Sequence, residues 1–305
     1  MTVWIYVAGR GHSGTTMLDA MLGNSDNIES AGELISGMGR YKALCSCGES
    51  FAECNYWKEV RRRFEKSSGA QWDEAVQCLV RQAHLKSFVR TLLSTSRSKE
   101  IVSAIAHHNN IAETLRLVSG KPAILDSSKE LTRATFIVRF ISGAKVIHVV
   151  RHPVGVLNSH LNRLVAGSGF KMLRRRFYPR KWFFPFVLLG AAGWIVGNML
   201  AEVIRAFSKH KVLRIRYEDL VDFPLDELGR MESFLRMPLG DLKEKIIHEE
   251  KLHFGHNIGG NGMRMGKGFT VERGKPSVSG LPIRYSIIIH SLCWPLIWKY
   301  GYYKK

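Results

Sequence analysis

The stretch VWIYVAGRGHSGTTMLDAMLG, Val3 to Gly23, decides the fold. Its first residues are continuously apolar and β-branched or aromatic, which predicts a buried strand over 3–8. A glycine-rich turn follows, and Met17, Leu18, Met21 and Leu22 then recur at helical spacing. Strand, glycine loop, helix is the arrangement that presents unpaired backbone N–H groups and a positive dipole end to an anion. The pattern falls short of a nucleoside triphosphatase loop in one place. Gly9 and Gly14 have the right spacing, but Thr15 and Thr16 stand where a lysine would reach the terminal phosphate. No acidic strand end suited to magnesium accompanies it, so a P-loop kinase or ATPase is disfavoured.

The unit recurs. KVIHVVRHP (145–153) is a second apolar run ending in a charged turn, followed by the helix-like VGVLNSHLNRLV, and KVLRIRYEDLVDFP (211–224) is a third short strand. Apolar strands alternating with helices predict an α/β fold, a P-loop-like parallel sheet flanked by helices with ligands at the carboxyl ends of the strands. Residues 57–118 read as helical throughout, a helical insertion in a single domain spanning 1–305; no repeat or linker divides the chain.

The 305 residues carry 45 Lys and Arg against 26 Asp and Glu, a formal charge of +19, with 45% hydrophobic residues. That composition is globular, and the charge implies a polyanionic partner. The basic residues are spread and no groove-reading helix or base-stacking motif accompanies them, so nucleic acid is not the expected partner. The amino terminus lacks the pattern of a secretory signal, and the five cysteines form no even framework, so a reducing cytoplasmic setting is expected. Three of them, Cys45, Cys47 and Cys54, lie within ten residues. They could hold a metal or form a reduced or locally cross-linked loop; zinc would need a fourth ligand that the local spacing does not supply.

GHSGTT (11–16) together with RHPVGVLNS (151–159) resembles the two signature segments of the sulfotransferases that use 3′-phosphoadenosine 5′-phosphosulfate, PAPS. RIRYEDLVDFP is similar to the family's later Tyr-Glu-Asp segment, and DSSK (126–129) and HNIGGNGMR (256–264) resemble segments of its bacterial-type branch, which is related to the tyrosylprotein sulfotransferases. The resemblance runs from residue 3 to about 264. It implies that Arg10, Gly11, Ser13, Gly14, Thr15 and Thr16 surround the 5′-phosphosulfate, that Arg151 and Ser159 hold the 3′-phosphate, and that Tyr217 lies by the nucleotide. Gly260, Asn261 and Arg264 would belong to a glycine-rich loop closing over the donor. No metal is expected for the transfer.

His12 departs from the pattern, since many relatives carry Lys or Arg there; a bound phosphosulfate would raise its pKa and let it do the same work. Glu33 follows His12 by 21 residues, where relatives place a glutamate after a glycine, and is the expected general base. Lys129 is a weaker candidate for contact with acceptor or donor.

KMLRRRFYPRK (171–181) places six basic residues in eleven, and the next twenty residues, WFFPFVLLGAAGWIVGNMLA, carry no charge. This run can be a buried core helix, an interfacial attachment or a membrane span. The aromatic and basic tail SIIIHSLCWPLIWKYGYYKK fits the interfacial reading. The acceptor is then expected to be a lipid, glycolipid or other amphiphile at a cytoplasmic anionic membrane face. The alternative is a catalytically inactive scaffold on the same fold, binding membrane or nucleotide.

Overall fold

The computed structural model of the chain describes residues 2–94, 98–167, 183–271 and 281–303. The basic run 171–181 lies outside them.

Strand β1 (Val3–Gly9) leads through the glycine loop into helix α1 (Thr15–Gly23), and β2 (Ile28–Ser30) into a short α2 (Leu34–Gly37). Four helices then follow: α3 (Asn55–Ser68), α4 (Trp72–Arg81), α5 (Leu85–Leu93) and α6 (Lys99–Ser119). The chain returns to the sheet as β3 (Ala123–Lys129), α7 (Leu131–Phe140), β4 (Lys145–Val150) and α8 (Pro153–Gly167). After α9 (Phe183–Phe207) come β5 (Val212–Arg216), α10 (Tyr217–Asp222), α11 (Pro224–Leu235), α12 (Gly240–Ile247) and α13 (Ile283–Lys299).

The five strands pair in the order β2-β3-β1-β4-β5, every pair parallel. β1 is central, with Tyr6 opposite Val146 of β4 and opposite Asp126 of β3. Its alternation divides the core. Trp4 and Tyr6 face one layer with Trp57, Phe64, Trp72 and Phe136, contributed by α3, α4 and α7. Ile5 and Val7 face the other with Leu18, Met21, Leu228 and Leu242 from α1, α11 and α12. Each such fully buried side chain contributes roughly 1.5–3 kcal/mol by leaving water, so the sheet has no exposed face to spare. A third cluster joins α8, α9 and α13 through Leu157, Val187, Trp194 and Ile289. The carboxyl ends of all five strands, and the residues singled out by motif, therefore gather on one rim.

Candidate active site

At the end of β1 the backbone turns through His12 at φ 70 and Gly14 at φ 92, both left-handed. At Gly14 the turn needs glycine for a second reason. A Cβ there would lie 2.1 Å from the ring of Tyr217, which opens α10 at the end of β5. The same ring carries the Arg151 guanidinium 4.2 Å from its centroid, and Arg151 Nη1 donates to the His12 carbonyl at 3.2 Å. His12 Nδ1 in turn lies 3.2 Å from Ser159 Oγ. Ends of β1, β4 and β5 are thus locked together, and His12, Gly14, Arg151, Ser159 and Tyr217 occupy one cradle. Ser13 and Thr15 are buried under it. At the start of α1 the amides of Thr15 and Thr16 have no intrahelical acceptor, so they add donors and dipole charge to the same place.

Cations crowd this cradle. Arg10 lies against Gly193 of α9, where a Cβ would stand 2.5 Å from Arg10 Nη2; burial lowers the Arg10 pKa. His160 stacks on His12 with centroids 4.9 Å apart. In the free protein burial, then the fields of His160, Arg163, Lys129 and Arg151, push His12 down to about 4. That direction is opposite to the one expected with phosphosulfate bound, and burial is its largest cause, with the neighbouring positive charges adding to it.

The clamp behind Arg151 comes from residues that the sequence reading did not single out. Trp194 Nε1 donates to the Arg151 carbonyl at 3.0 Å. Glu218 accepts from the His152 amide at 2.9 Å and from the Tyr302 hydroxyl at 2.9 Å, and burial raises its pKa. Asp219 neutralises Arg216. The Tyr-Glu-Asp segment thus has three separate jobs: Tyr217 seals Gly14, Glu218 holds the turn after β4 to Tyr302 just past α13, and Asp219 balances the strand's own arginine.

On the other side of the rim, Glu33 stands at the start of α2. Its carboxylate is paired with Lys129 and accepts from Ser36 Oγ at 3.2 Å. Lys129 itself has φ 72, a left-handed conformation that costs a non-glycine residue about 1–3 kcal/mol and aims the last residue of β3 at Glu33. Three members of DSSK act here. Buried Asp126 accepts from the Ser128 amide at 3.0 Å, and Ser128 Oγ accepts from the Ile35 amide at 2.9 Å, which sets the turn carrying Glu33. Lys129 is a partner of the candidate base, and its charge also acts on His12.

The loop 256–264 closes over this side. Glu33 N donates to Ile258 O at 2.8 Å, and a Cβ on Gly260 would meet Glu33 Oε1 at 3.2 Å. Asn261 and Arg264 both make hydrogen bonds within this loop. Asn261 Oδ1 accepts from the Met263 amide at 3.2 Å, and Arg264 Nη1 donates to the Asn257 carbonyl at 3.2 Å, so both hold the loop's own shape. Asn257 Nδ2 donates to Asp19 Oδ2 at 2.6 Å, joining the loop to α1; burial pushes Asp19 up to about 7.

Comparison with known proteins gives a family and a fold. A family model described as the sulfotransferase family matches residues 5–241. Among solved structures, the sulfotransferase domain from the curacin biosynthetic pathway aligns with 15% identity and a TM-score of 0.51 over 97% of this chain and 98% of that one. A sulfotransferase from Mycobacterium avium aligns with 10% identity and a TM-score of 0.49 over 96% and 75% of the two chains. No curated protein matches by sequence.

Proposed function

Since the chain belongs to the sulfotransferase family, we propose that it moves the sulfuryl group of PAPS to the hydroxyl of an amphiphilic acceptor. The observation that carries the donor reading is the cationic cradle. Arg10, His12, Lys129, Arg151 and Arg163 converge around the amino end of α1. Arg151 suits the 3′-phosphate, because a planar guanidinium grips phosphate oxygens in pairs and its stacking on Tyr217 fixes the plane. Ser159, with His12, completes that end. Gly11 to Thr16 suit the phosphosulfate, and Gly260 keeps the closing loop tight on Glu33.

Glu33 is the base in this reading. The acceptor hydroxyl gives its proton to the Glu33 carboxylate as the new oxygen–sulfur bond forms and the bond from sulfur to the phosphate oxygen breaks. Arg10 and His12 meet the charge left on that phosphate, with His12 protonated once the anion is in place. Lys129, paired with Glu33, holds its carboxylate in place until the hydroxyl arrives.

The acceptor class rests on α9 and α13. Helix α9 buries Phe183, Val187, Ala191, Trp194, Asn198, Ala201 and Ile204 along one stripe. Its opposite face is also apolar: Leu189 is 73% exposed and Val196 65%. It is the one described helix long and apolar enough to cross a membrane, yet one stripe of it packs into the core. Beside it α13 presents Ile287, Trp294 and Trp298 to solvent. This apolar surface with exposed tryptophans suits peripheral seating on an anionic bilayer, and the basic run 171–181 that precedes α9 in the sequence supplies charge of the matching sign.

Two measurements test these halves separately. Adenosine 3′,5′-bisphosphate at a hundredfold over its Kd adds about 2.7 kcal/mol to the stability of a protein that binds it only when folded. The melting temperature is expected to rise accordingly, and far less with ATP and magnesium; equal responses would remove the donor assignment. In liposome flotation the chain is expected to rise with anionic vesicles, and the double change Leu189→Ser with Val196→Ser to weaken it. Failure to float with any vesicle at low salt would leave a soluble alcohol, phenol or sugar as acceptor.

A further inference from the structure

We propose that Cys45, Cys47, Cys54 and His256 form a structural zinc site that pins the closing loop to the body of the protein. The sequence reading lacked a fourth ligand near the three cysteines. The fold supplies it from about 200 residues away: the ligand atoms of all four side chains lie within 4.8 Å of one another. Cys54 Sγ is 3.7 Å from Cys45 Sγ, 3.6 Å from Cys47 Sγ and 3.3 Å from His256 Nδ1, and Cys45 Sγ is 3.7 Å from His256 Nδ1. A tetrahedral zinc with bonds of about 2.3 Å to sulfur and about 2.0 Å to nitrogen spaces its ligand atoms at roughly 3.5–3.8 Å. A disulfide would draw two sulfurs to about 2.05 Å, and all of these thiols are free.

The surroundings are built for ligation. Cys45 and Cys47 sit in a tight turn closed by Cys45 N donating to Glu49 O at 2.7 Å, with Gly48 at φ 97. Cys54 immediately precedes the first residue of α3, so that helix fixes its place in the cluster. The His256 ring stacks on Tyr56 at 4.7 Å, and its carbonyl accepts from Trp57 Nε1 at 2.8 Å, so its orientation is set by α3. Three thiolates and one divalent cation leave a charge of −1, and Arg264 is within electrostatic reach of both Cys45 and Glu33. On binding, each thiol yields its proton to solvent while the imidazole ligates as the neutral base.

The site's position gives it a purpose. His256 begins the loop whose Ile258 pairs with Glu33, and Ser46 donates from both its amide and its hydroxyl to the Asn257 carbonyl, each at 3.0 Å. A metal at the four ligands therefore fastens both ends of the contact that seats the loop on Glu33. Its role is structural, and it takes no part in the transfer.

Metal analysis of the full chain, expressed in zinc-supplemented medium without an affinity metal, is expected to find one zinc per chain after dialysis. His256→Ala is expected to lose it and Cys78→Ser, remote from the cluster, to keep it. Cobalt(II) in place of zinc is expected to give the visible absorption of a tetrahedral thiolate complex. Should His256→Ala fail to fold, Cys47→Ser at the exposed ligand is expected to weaken zinc at least tenfold in competition with a chromogenic chelator. Wild-type chain that retains no zinc and gives no such cobalt spectrum overturns the proposal, as does a disulfide among the three cysteines in freshly prepared protein. Binding of adenosine 3′,5′-bisphosphate is scored separately, so the zinc site can fail while the donor reading stands, and the reverse.

Discussion

The rim at the ends of β1, β4 and β5 and the rim at the ends of β2 and β3 are built on different plans. The first is a cradle of cations held by contacts made at the motif residues themselves: Gly14 on Tyr217, Arg151 on the same ring and on the His12 carbonyl. The second centres on a carboxylate, Glu33, whose setting depends on partners far along the chain, among them Ser128 through Ile35, Lys129 and Ile258. In the proposed reaction one side holds the polyanion and the other holds the base close to it without joining it. The lysine between them acts on both, pairing with Glu33 and depressing the pKa of His12.

The largest expected effect tests that division from the base side. Glu33→Gln is expected to lower kcat by about 10²–10⁴-fold, the usual contribution of a positioned general base, with the affinity for adenosine 3′,5′-bisphosphate nearly unchanged. Steady-state rates at saturating donor and calorimetric binding of the product nucleotide measure the two halves. A variant that transfers normally would strip Glu33 of its role and make His12 the next base to test. One that also loses nucleotide binding would show the two rims to be a single unit.

Arg151→Ala tests it from the other side, with a smaller effect. A charge-assisted hydrogen bond to phosphate contributes about 1.5–3 kcal/mol, so the Kd for adenosine 3′,5′-bisphosphate is expected to rise roughly 10–100-fold. The turnover of the saturated enzyme is expected to stay within a few-fold, because the 3′-phosphate is remote from the reacting sulfur. A large fall in kcat at saturation would mean that Arg151, through the His12 carbonyl, positions the phosphosulfate loop as well.

The same contrast explains how much was legible in the sequence. A parallel α/β fold followed from three apolar runs each leaving into a charged or glycine-rich turn, since strands buried on both faces advertise themselves locally. The cradle residues could be named because each lies in a short motif, although the contacts that join them run between distant segments. What stayed hidden were the partners that lie outside any such motif. Glu218 carries no local sign that it will meet Tyr302, and the cysteine cluster carries none that His256 will close it. The loop 256–264 signals a turn by its glycines, but the bonds that seat it, Asn257 to Asp19 and Arg264 to the Asn257 carbonyl, carry no such local sign. Gly193 could have been noticed as a glycine in a long helix, yet only the path of Arg10 beneath it gives the reason.

The smallest expected effect concerns the proton on His12. In the free chain its pKa lies at about 4, lowered first by burial and then by four neighbouring cations or potential cations. A bound bisphosphate supplies negative charge to the same pocket and brings His12 back toward its ordinary value near 6.5 or above. A group whose pKa rises on binding takes up a proton with the ligand, so its contribution to affinity is complete below the free-state pKa, fades as pH rises through the bound-state one and is absent well above it. If the bound value is about 6.5, that contribution tightens binding about tenfold between pH 8 and pH 5.5. The ligand's own phosphate titrates near pH 6 and pulls the other way, and His160 is present throughout. The informative quantity is therefore the difference between wild type and His12→Gln, followed by calorimetry across that range. The two chains are expected to diverge by about tenfold as the pH falls, with wild type the tighter binder at the acid end, and His12→Gln is expected to take up one proton fewer on binding near pH 6. Parallel curves would mean that His12 stays neutral beside the bound anion. The work of meeting the departing phosphate would then pass to Arg10, whose guanidinium the bare face of Gly193 admits to the same pocket.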